Sequence, residues 1–482
     1  MSVGTILLII LVIALLGGFS GLGGGPFYGT GYYGGGILGL TLAHRLTGLG
    51  HSVELFEAAP ELGGLACKQD YGAFTWDRFY HCILPQDQAL IGLLGEIGLG
   101  DELRWRTTGT GYWKAGRFYP MSGNADFVRF PLLSFFDKAR LGAAIVYATR
   151  FADPFQLYRV TAAEWLTKTC GRRVYEVFWR PLLKAKFGTF HDQVAAVFIW
   201  ATLTRLFGAR TGGGQKEQLG YAHGGYARIL GALSESLTKR GVVIRLGASV
   251  TRVHRSGTDG AGSGSGCSIS WTEAGGKHDQ RTFDQVFFTA PTRLAERVVS
   301  GDFEKHVSQM AKDFPTSHAY LGVACAVLAL KKPLTPYYVL NIGDETVELT
   351  GLIEMTNLVD PAAETQGRSL IYLPRYLGAD DERLSAPDAD LLESLIGRGL
   401  KTLFPDFRDS DIDYVGVHRA RYVQPLPLVG AAPPDPKKLA GFERPFQIVN
   451  TSMLTCATLN NNEVVSLVDN YVERHRAALV QS

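Results

Sequence analysis

Three glycines constrain this chain more than any other feature. Gly34, Gly36 and Gly39 stand as Gly-x-Gly-x-x-Gly. The residues that follow, ILGLTLAHRLTGLGH, place Leu38, Leu42, Leu46 and Leu49 at helical spacing, with Gly50 as a stop. HSVELFEA then reads as a buried strand ending in an acid, Glu57, 18 residues beyond Gly39. Glycine loop, helix, strand and terminal carboxylate, in that order, are the parts of a βαβ unit that binds a dinucleotide. The first glycine permits the tight turn. The second lets a pyrophosphate approach the backbone, and the third lets the helix pack close to the sheet. The phosphates would rest on the helix N-terminus, where free N–H groups and the dipole favour anions. Glu57 lies where a carboxylate accepts from a ribose hydroxyl. The strand expected before the motif is its poorest part: PFYGTGYY carries a Pro and two Gly where apolar, β-branched residues belong.

The chain before the motif is unusual. Residues Ile6 to Leu16 form an unbroken apolar run, no charged side chain occurs before Arg45, and eleven of the twenty residues from Gly17 to Gly36 are glycine. The run lacks the basic start and small-residue cleavage site of a secretory signal. Three readings fit: a membrane anchor through residues 5–20 on a glycine tether, a buried core segment, or a foreign start joined to an enzyme domain. We treat residues 1–27 as a separate leader. With 482 residues the chain is too long for one ordinary domain. A formal charge of +2 offers no basic field for nucleic acid. The six cysteines are scattered without a C-x-x-C pair, which argues against a zinc site and for a reducing, cytoplasmic compartment, including the inner face of the membrane.

Further along, residues 84 to 240 read as mostly helical, followed by a strand in VVIRLGASVTRVHR. The tract SGTDGAGSGSG reads as a hairpin tip, and short strands follow in CSISWTE and FDQVFFTAP. Residues 318 to 375 read as strand-rich, PDADLLESLIGRGLKTLF as helix, FQIVNTSML as a strand and NNNEVVSLVDNYVERHRAAL as a final helix. The expected architecture is α/β. A Rossmann-like domain is assembled from 28–100, 215–298 and 441–482, with an inserted α+β substrate domain from 101–214 and 299–440.

Gly63 and Gly64 follow Glu57 by six and seven residues in EAAPELGGLA. Glu57 with this second glycine pair resembles the extended dinucleotide motif of the FAD-dependent amine oxidase, phytoene desaturase and protoporphyrinogen oxidase superfamily. The stretches WDRFYHCILPQD, GGYARIL, YLPRY and TLNNNEVV resemble its bacterial protoporphyrinogen-oxidase-like branch, so the resemblance runs from about Gly34 to the C-terminus. It implies FAD, with Glu57 on the adenosine ribose and the Val250 backbone on the adenine side. Where the family commonly carries a Gly-Asp pair, this chain has Asn450-Thr451-Ser452. Asn450 and Thr451, with Asn461 at the start of the last helix, would then face the phosphates.

In such an enzyme the flavin supplies the electron chemistry, and the protein supplies position and electrostatics. Asp77, Arg78 and His81, in WDRFYH, are the catalytic candidates: Arg78 and His81 could fix a polar substrate or stabilise charge on reduced flavin. Equally, Asp77 and Arg78 read as a structural ion pair and His81 as a satisfied buried histidine. Lys184, Lys186, Tyr372, Arg375 and Arg421, with Arg419, are candidates for holding a phosphate or carboxylate. Lys184 and Lys186 read as well as a solvated helix edge. Three functions compete. One is an oxidoreductase moving a hydride from a small, lipophilic or phosphate-bearing substrate to FAD, with the electron acceptor open. The second is a redox-neutral flavoenzyme resembling the nucleotide-sugar mutases. The third is a flavin-free scaffold.

Overall fold

A computed structural model describes residues 34–208, 218–256, 266–314, 316, 319–430 and 444–480. The expected leader, residues 1–27, and the expected strand in PFYGTGYY lie outside them.

The motif folds as its spacing predicts. A helix spans Ile37–Gly48, Leu49 caps it, and Gly50 turns with φ +92°. The strand Glu54–Glu57 follows and pairs in parallel with Val243–Leu246. The single strand expected in VVIRLGASVTRVHR is two, broken at Gly247 (φ +66°). The second part, Ala248–Arg255, pairs antiparallel with Cys267–Glu273. Those two strands flank the expected hairpin tip, most of which is outside the described residues. Val286–Phe288 pairs in parallel with Phe446–Ile448. The facing edges of the two parallel pairs, at Glu54–Phe56 and Val286–Phe288, line a cavity of about 830 Å³ that also touches Gly34, Gly39 and Val250.

The second sheet has seven strands, in the order Ile412–Pro425, Tyr320–Leu330, Ser369–Gly378, Gly351–Glu354, Val339–Ile342, Thr110–Lys114 and Arg117–Pro120. All neighbours are antiparallel except Val339–Ile342 with Thr110–Lys114. Alternation divides its side chains between two apolar clusters. In Ser369–Gly378, Leu370, Tyr372 and Tyr376 enter the large core that also contains the glycine-motif helix. Ile371 and Leu373 enter a separate cluster on the other face.

The middle of the chain is less helical than its sequence suggests. Helices Gln88–Glu96, Phe135–Arg150, Ala162–Cys170, Arg180–Phe187 and Val197–Gly208 are present. Leu103–Thr107, Thr110–Lys114, Arg117–Pro120 and Gln218–Ala222, however, are strands. The signal lay in LRWRTTGTGYWKAGRFYP: aromatic residues of high β propensity flank a tight turn in which Ala115 and Gly116 both take positive φ. Among the described residues no helix is long and apolar enough to cross a membrane.

Candidate FAD and substrate site

The glycine loop is shaped by what surrounds each position. A Cβ on Gly34 would meet the Phe56 carbonyl oxygen at 2.4 Å, and one on Gly39 would meet the Gly34 carbonyl oxygen at 1.8 Å. These two glycines are needed for the strand and helix to lie this close. Gly36 is different: a Cβ there meets nothing within 4 Å. Gly36 is also the helix N-cap, and no side chain bonds to the first turn. The N–H groups opening the helix therefore carry the donor capacity and dipole that suit an anion.

The second glycine pair folds onto the first loop. The Gly63 N–H donates to the Gly35 carbonyl at 2.9 Å, and Gly36 bridges Gly63 in parallel. Gly63 has φ +127°, and its missing side chain leaves room for Leu230 and the Cys67 backbone. Glu57 ends its strand fully buried and accepts the Gly35 and Ala59 N–H groups, both at 2.8 Å. Burial pushes its carboxyl up to about 7, although those N–H bonds oppose the shift. An open backbone at a helix N-terminus, a double-glycine brace and a buried carboxylate at the strand end suit the diphosphate and ribose of FAD. Gly34, Gly36, Gly39, Glu57, Gly63 and Gly64 thus come together in one place. Val250 pairs with Trp271 and lines the adjoining cavity.

At the far end one of the three expected phosphate contacts, Asn450, is otherwise engaged. Asn450 is buried. Its amide donates to the Ala290 carbonyl at 2.9 Å and to Thr292 Oγ1 at 3.0 Å, and its oxygen accepts from the Ser452 N–H and hydroxyl. Asn450 thereby caps the short turn Thr451–Met453 rather than presenting its amide to a ligand. The last helix starts where the sequence predicts, at Asn461, with Asn460 capping the Glu463 N–H at 3.0 Å. The Asn461 amide sits beside the Tyr226 hydroxyl.

The WDRFYH stretch leaves a hairpin, Lys68–Asp70 with Thr75–Asp77, and enters the core. Asp77 is buried and acts as a hub. Its carboxylate accepts the Tyr226 N–H at 2.8 Å, at the start of the helix Gly225–Lys239. Gly225 (φ +65°) is required there, since a Cβ would lie 2.8 Å from that oxygen. The Asp77 carbonyl accepts from the Tyr372 hydroxyl at 2.5 Å and the Tyr71 hydroxyl at 2.9 Å. His81 Nδ1 lies 3.4 Å from Asp77 Oδ2, and its ring packs 4.5 Å from that of Tyr226. Arg78 does not pair with Asp77. Its guanidinium donates to Glu61 and to the Lys68 carbonyl, both at 3.2 Å. It also lies close enough to His418 to add to the burial that holds that imidazole near 4.

The cationic candidates separate. Lys184 is a surface residue paired with Glu345 at 2.5 Å. Lys186 is not a solvated edge: it is buried, and its Nζ lies 4.0 Å over the Tyr376 ring. Burial drives its amine well below the ordinary lysine value. The Tyr376 hydroxyl meets that of Tyr80 at 2.5 Å, and the Tyr80 ring packs 5.8 Å from that of Tyr372. Lys186, Tyr376, Tyr80, Tyr372 and Asp77 therefore form one buried chain. Arg375, at odd parity on the same strand, points to the opposite face and donates to the Glu348 carbonyl and Ser394 Oγ, both at 2.7 Å. Arg421 ties the Ala379 carbonyl at 2.8 Å to Ser385 Oγ at 2.6 Å, and Arg419 holds Asp388 and the Ala386 carbonyl. Alternation thus takes Arg375 away from Tyr372, and Arg419 and Arg421 pin the loop at 379–388. Tyr80 and Tyr376 escaped the sequence reading, though Tyr372 and Tyr376 share a strand face by their spacing of four.

Comparison with known proteins now bears on this geometry. The model of the family described as flavin containing amine oxidoreductase matches residues 39–436, well over half of the chain. A search among curated proteins gives no significant match. Among solved structures, the fold is similar to a protein from Exiguobacterium sp. 255-15 assigned as a protoporphyrinogen oxidase. That match has TM-score 0.66 and 15% identity, and it covers 94% of this chain and 98% of that one. It is also similar to a reduced UDP-galactopyranose mutase, with TM-score 0.64 and 16% identity over 94% of each chain. A putrescine oxidase bound to putrescine gives TM-score 0.64 and 16% identity, over 92% of this chain and 98% of that one. At these identities the likeness is one of fold.

Proposed function

The chain belongs to the flavin-containing amine oxidoreductase family, and from that premise we propose that it moves a hydride from a C–H or N–H bond of a small, largely uncharged substrate to FAD. It is an FAD-dependent oxidoreductase of α/β fold with a Rossmann-like cofactor domain. The observation that carries the cofactor assignment is the open backbone at Gly36, braced by Gly63 and followed by buried Glu57. Residues 37–39 would hold the diphosphate through their free N–H groups, and Glu57 would accept from the ribose. Bound FAD supplies acceptance of the two electrons.

The chain's own residues position and deprotonate. Asp77 fixes the start of the helix Gly225–Lys239 and, through Tyr372, ties the cofactor side to the seven-stranded sheet. Lys186, whose amine burial drives well below the ordinary lysine value, is the candidate to accept the proton that a substrate loses alongside the hydride. Buried tyrosines around an amine of depressed basicity suit a lipophilic or neutral substrate better than an anionic one. A redox-neutral mutase-like reading would need Lys184, Arg375 and Arg421 to be free for a diphosphate, and each is already held, by Glu345, by Glu348 with Ser394, and by the Ala379 carbonyl with Ser385.

The test is the visible spectrum of the purified protein, followed by anaerobic addition of candidate amines and lipophilic reductants. A flavin band with about one FAD per chain, bleached by such a compound, is expected. A colourless protein that takes up no FAD would support the scaffold reading. A flavin that turns over only after external reduction would support the mutase-like one.

A further inference from the structure

The helix Phe135–Arg150 opens on a capping box in which Ser134 and Asp137 satisfy each other's backbone N–H groups. One face is buried through Leu141, Ala144, Ile145 and Ala148. The opposite stripe of a surface helix should be polar. Here it runs Phe136, Ala139, Ala143 and Tyr147 and continues to Phe151. Phe135 is 78% exposed, Phe136 82% and Phe151 76%, with Val128, Tyr147 and Phe155 also out in solvent. Of twelve exposed large hydrophobic side chains among the described residues, six fall within 128–155. That clustering marks a contact surface rather than ordinary scatter.

Its charge identifies the partner. Residues 124–173 hold eight Lys or Arg against four Asp or Glu, so this stretch alone carries +4 while the whole chain carries +2. The four acids are engaged in local turns and caps: Asp126 with the Ser122 N–H, Asp137 with Ser134, Asp153 with the Phe155 N–H and Glu164 with Thr161. Arg129, Arg150, Arg159, Lys168 and Arg172 are exposed, and Arg140, donating to the Lys168 and Thr169 carbonyls, holds part of this basic rim beside the helix, while Arg173 lies 3.4 Å from Asp137. A 16-residue helix is about 24 Å long, with exposed rings at both ends, the shape of an element that lies in a membrane interface.

We propose that this face docks the protein onto an anionic lipid surface. Phe135, Phe136 and Phe151 enter the acyl boundary, and the basic rim faces the headgroups. The mode is peripheral and does not involve the N-terminal leader.

The test uses the full chain and flotation on vesicles of phosphatidylcholine, alone or with about 30% phosphatidylglycerol. The parent is expected to bind the anionic vesicles, and to bind the neutral ones at least tenfold more weakly. Combining Phe135→Ser, Phe136→Ser and Phe151→Ser should reduce anionic binding at least tenfold while flavin content and circular dichroism stay unchanged, because these side chains leave the core untouched. Arg129→Glu with Arg172→Glu should remove the preference for anionic lipid. Failure of the parent to bind, equal binding by the phenylalanine variant (which keeps the apolar leader), or indifference to phosphatidylglycerol would overturn the proposal. So would sedimentation showing that the substitutions dissolve a dimer instead.

Discussion

Gly36 and Gly39 sit three residues apart in one loop, yet the structure gives alanine opposite consequences at the two positions. Gly36 has φ −76° and ψ 173°, values that any residue adopts, and a Cβ there meets nothing within 4 Å. Gly36→Ala should therefore stabilise the cofactor-free protein by about 0.4–1 kcal/mol, by restricting the unfolded chain. The same methyl group would stand where a diphosphate must approach the helix N-terminus. Losing one or two charge-assisted hydrogen bonds, at roughly 1.5–3 kcal/mol each, weakens FAD by about tenfold or more. Gly39→Ala instead puts a Cβ 1.8 Å from the Gly34 carbonyl oxygen. The helix must retreat by more than an ångström, which costs roughly 1–3 kcal/mol in the apo protein and spoils FAD binding as well. Urea unfolding of apo protein, with FAD titration by fluorescence quenching, separates the two. The reasoning fails if Gly36→Ala binds FAD with the parent's Kd, or if it destabilises the apo protein as much as Gly39→Ala does.

Other outcomes follow from the same geometry. Glu57 titrates near 7 when folded against about 4.5 when unfolded. Between those values the native state holds a proton that the unfolded chain lacks, so apo stability should fall by about 3 kcal/mol as pH rises from roughly 4.5 through 7. Urea midpoints from pH 5 to 8 should differ between parent and Glu57→Gln by this slope, because the rise that His418 contributes below about 6.5 is common to both. Lys186→Met should raise stability at pH 7, because a depressed amine favours the unfolded, protonated chain. It should also remove an ionisation from the kcat profile, and an unchanged profile with lowered stability would exclude the amine as proton acceptor. Lys184→Ala should change stability by less than about 0.5 kcal/mol and leave kcat/KM alone. A tenfold loss would place substrate at that edge. Asp77→Asn keeps an acceptor for the Tyr226 N–H, whereas Asp77→Ala strips it, so unfolding should separate the two by about 1–2 kcal/mol.

The cofactor side was legible because its demands are local. A backbone that must be bare, a helix that must start at once and a strand that must end in an acid are all written within Gly34–Gly64. The helix starts at Gly225 and Asn461 were legible for the same reason. The substrate side was not, because its placements depend on strand parity and on register across the seven-stranded sheet. YLPRY reads as a cluster of aromatic and basic groups, but alternation splits Tyr372 and Tyr376 from Arg375. PLLKAKFG likewise offers two similar lysines. Helix rotation puts Lys184 half-exposed beside Glu345 and Lys186 under Tyr376, a difference of two residues on a helical face. Asp77 with Arg78 looked like a pair by adjacency, but the strand ends at Asp77 and the two side chains take different partners.

The link between the two halves of the site is uncharged, and that is physically consistent with its depth. The contacts from Asp77 to Tyr372 and Tyr71 run through a backbone carbonyl, and those from Tyr376 to Tyr80 run through hydroxyls. Ion pairs in the same position would carry a desolvation cost that their attraction need not recover. Short hydroxyl bonds satisfy every buried polar group they join and are directional enough to fix the seven-stranded sheet against the helix Gly225–Lys239. The one ionisable carboxylate in the chain, Asp77, is met by a helix N-terminus, and the one amine, Lys186, is driven toward neutrality. On the proposed function, such a link would leave Lys186 as the group that takes up the substrate's proton.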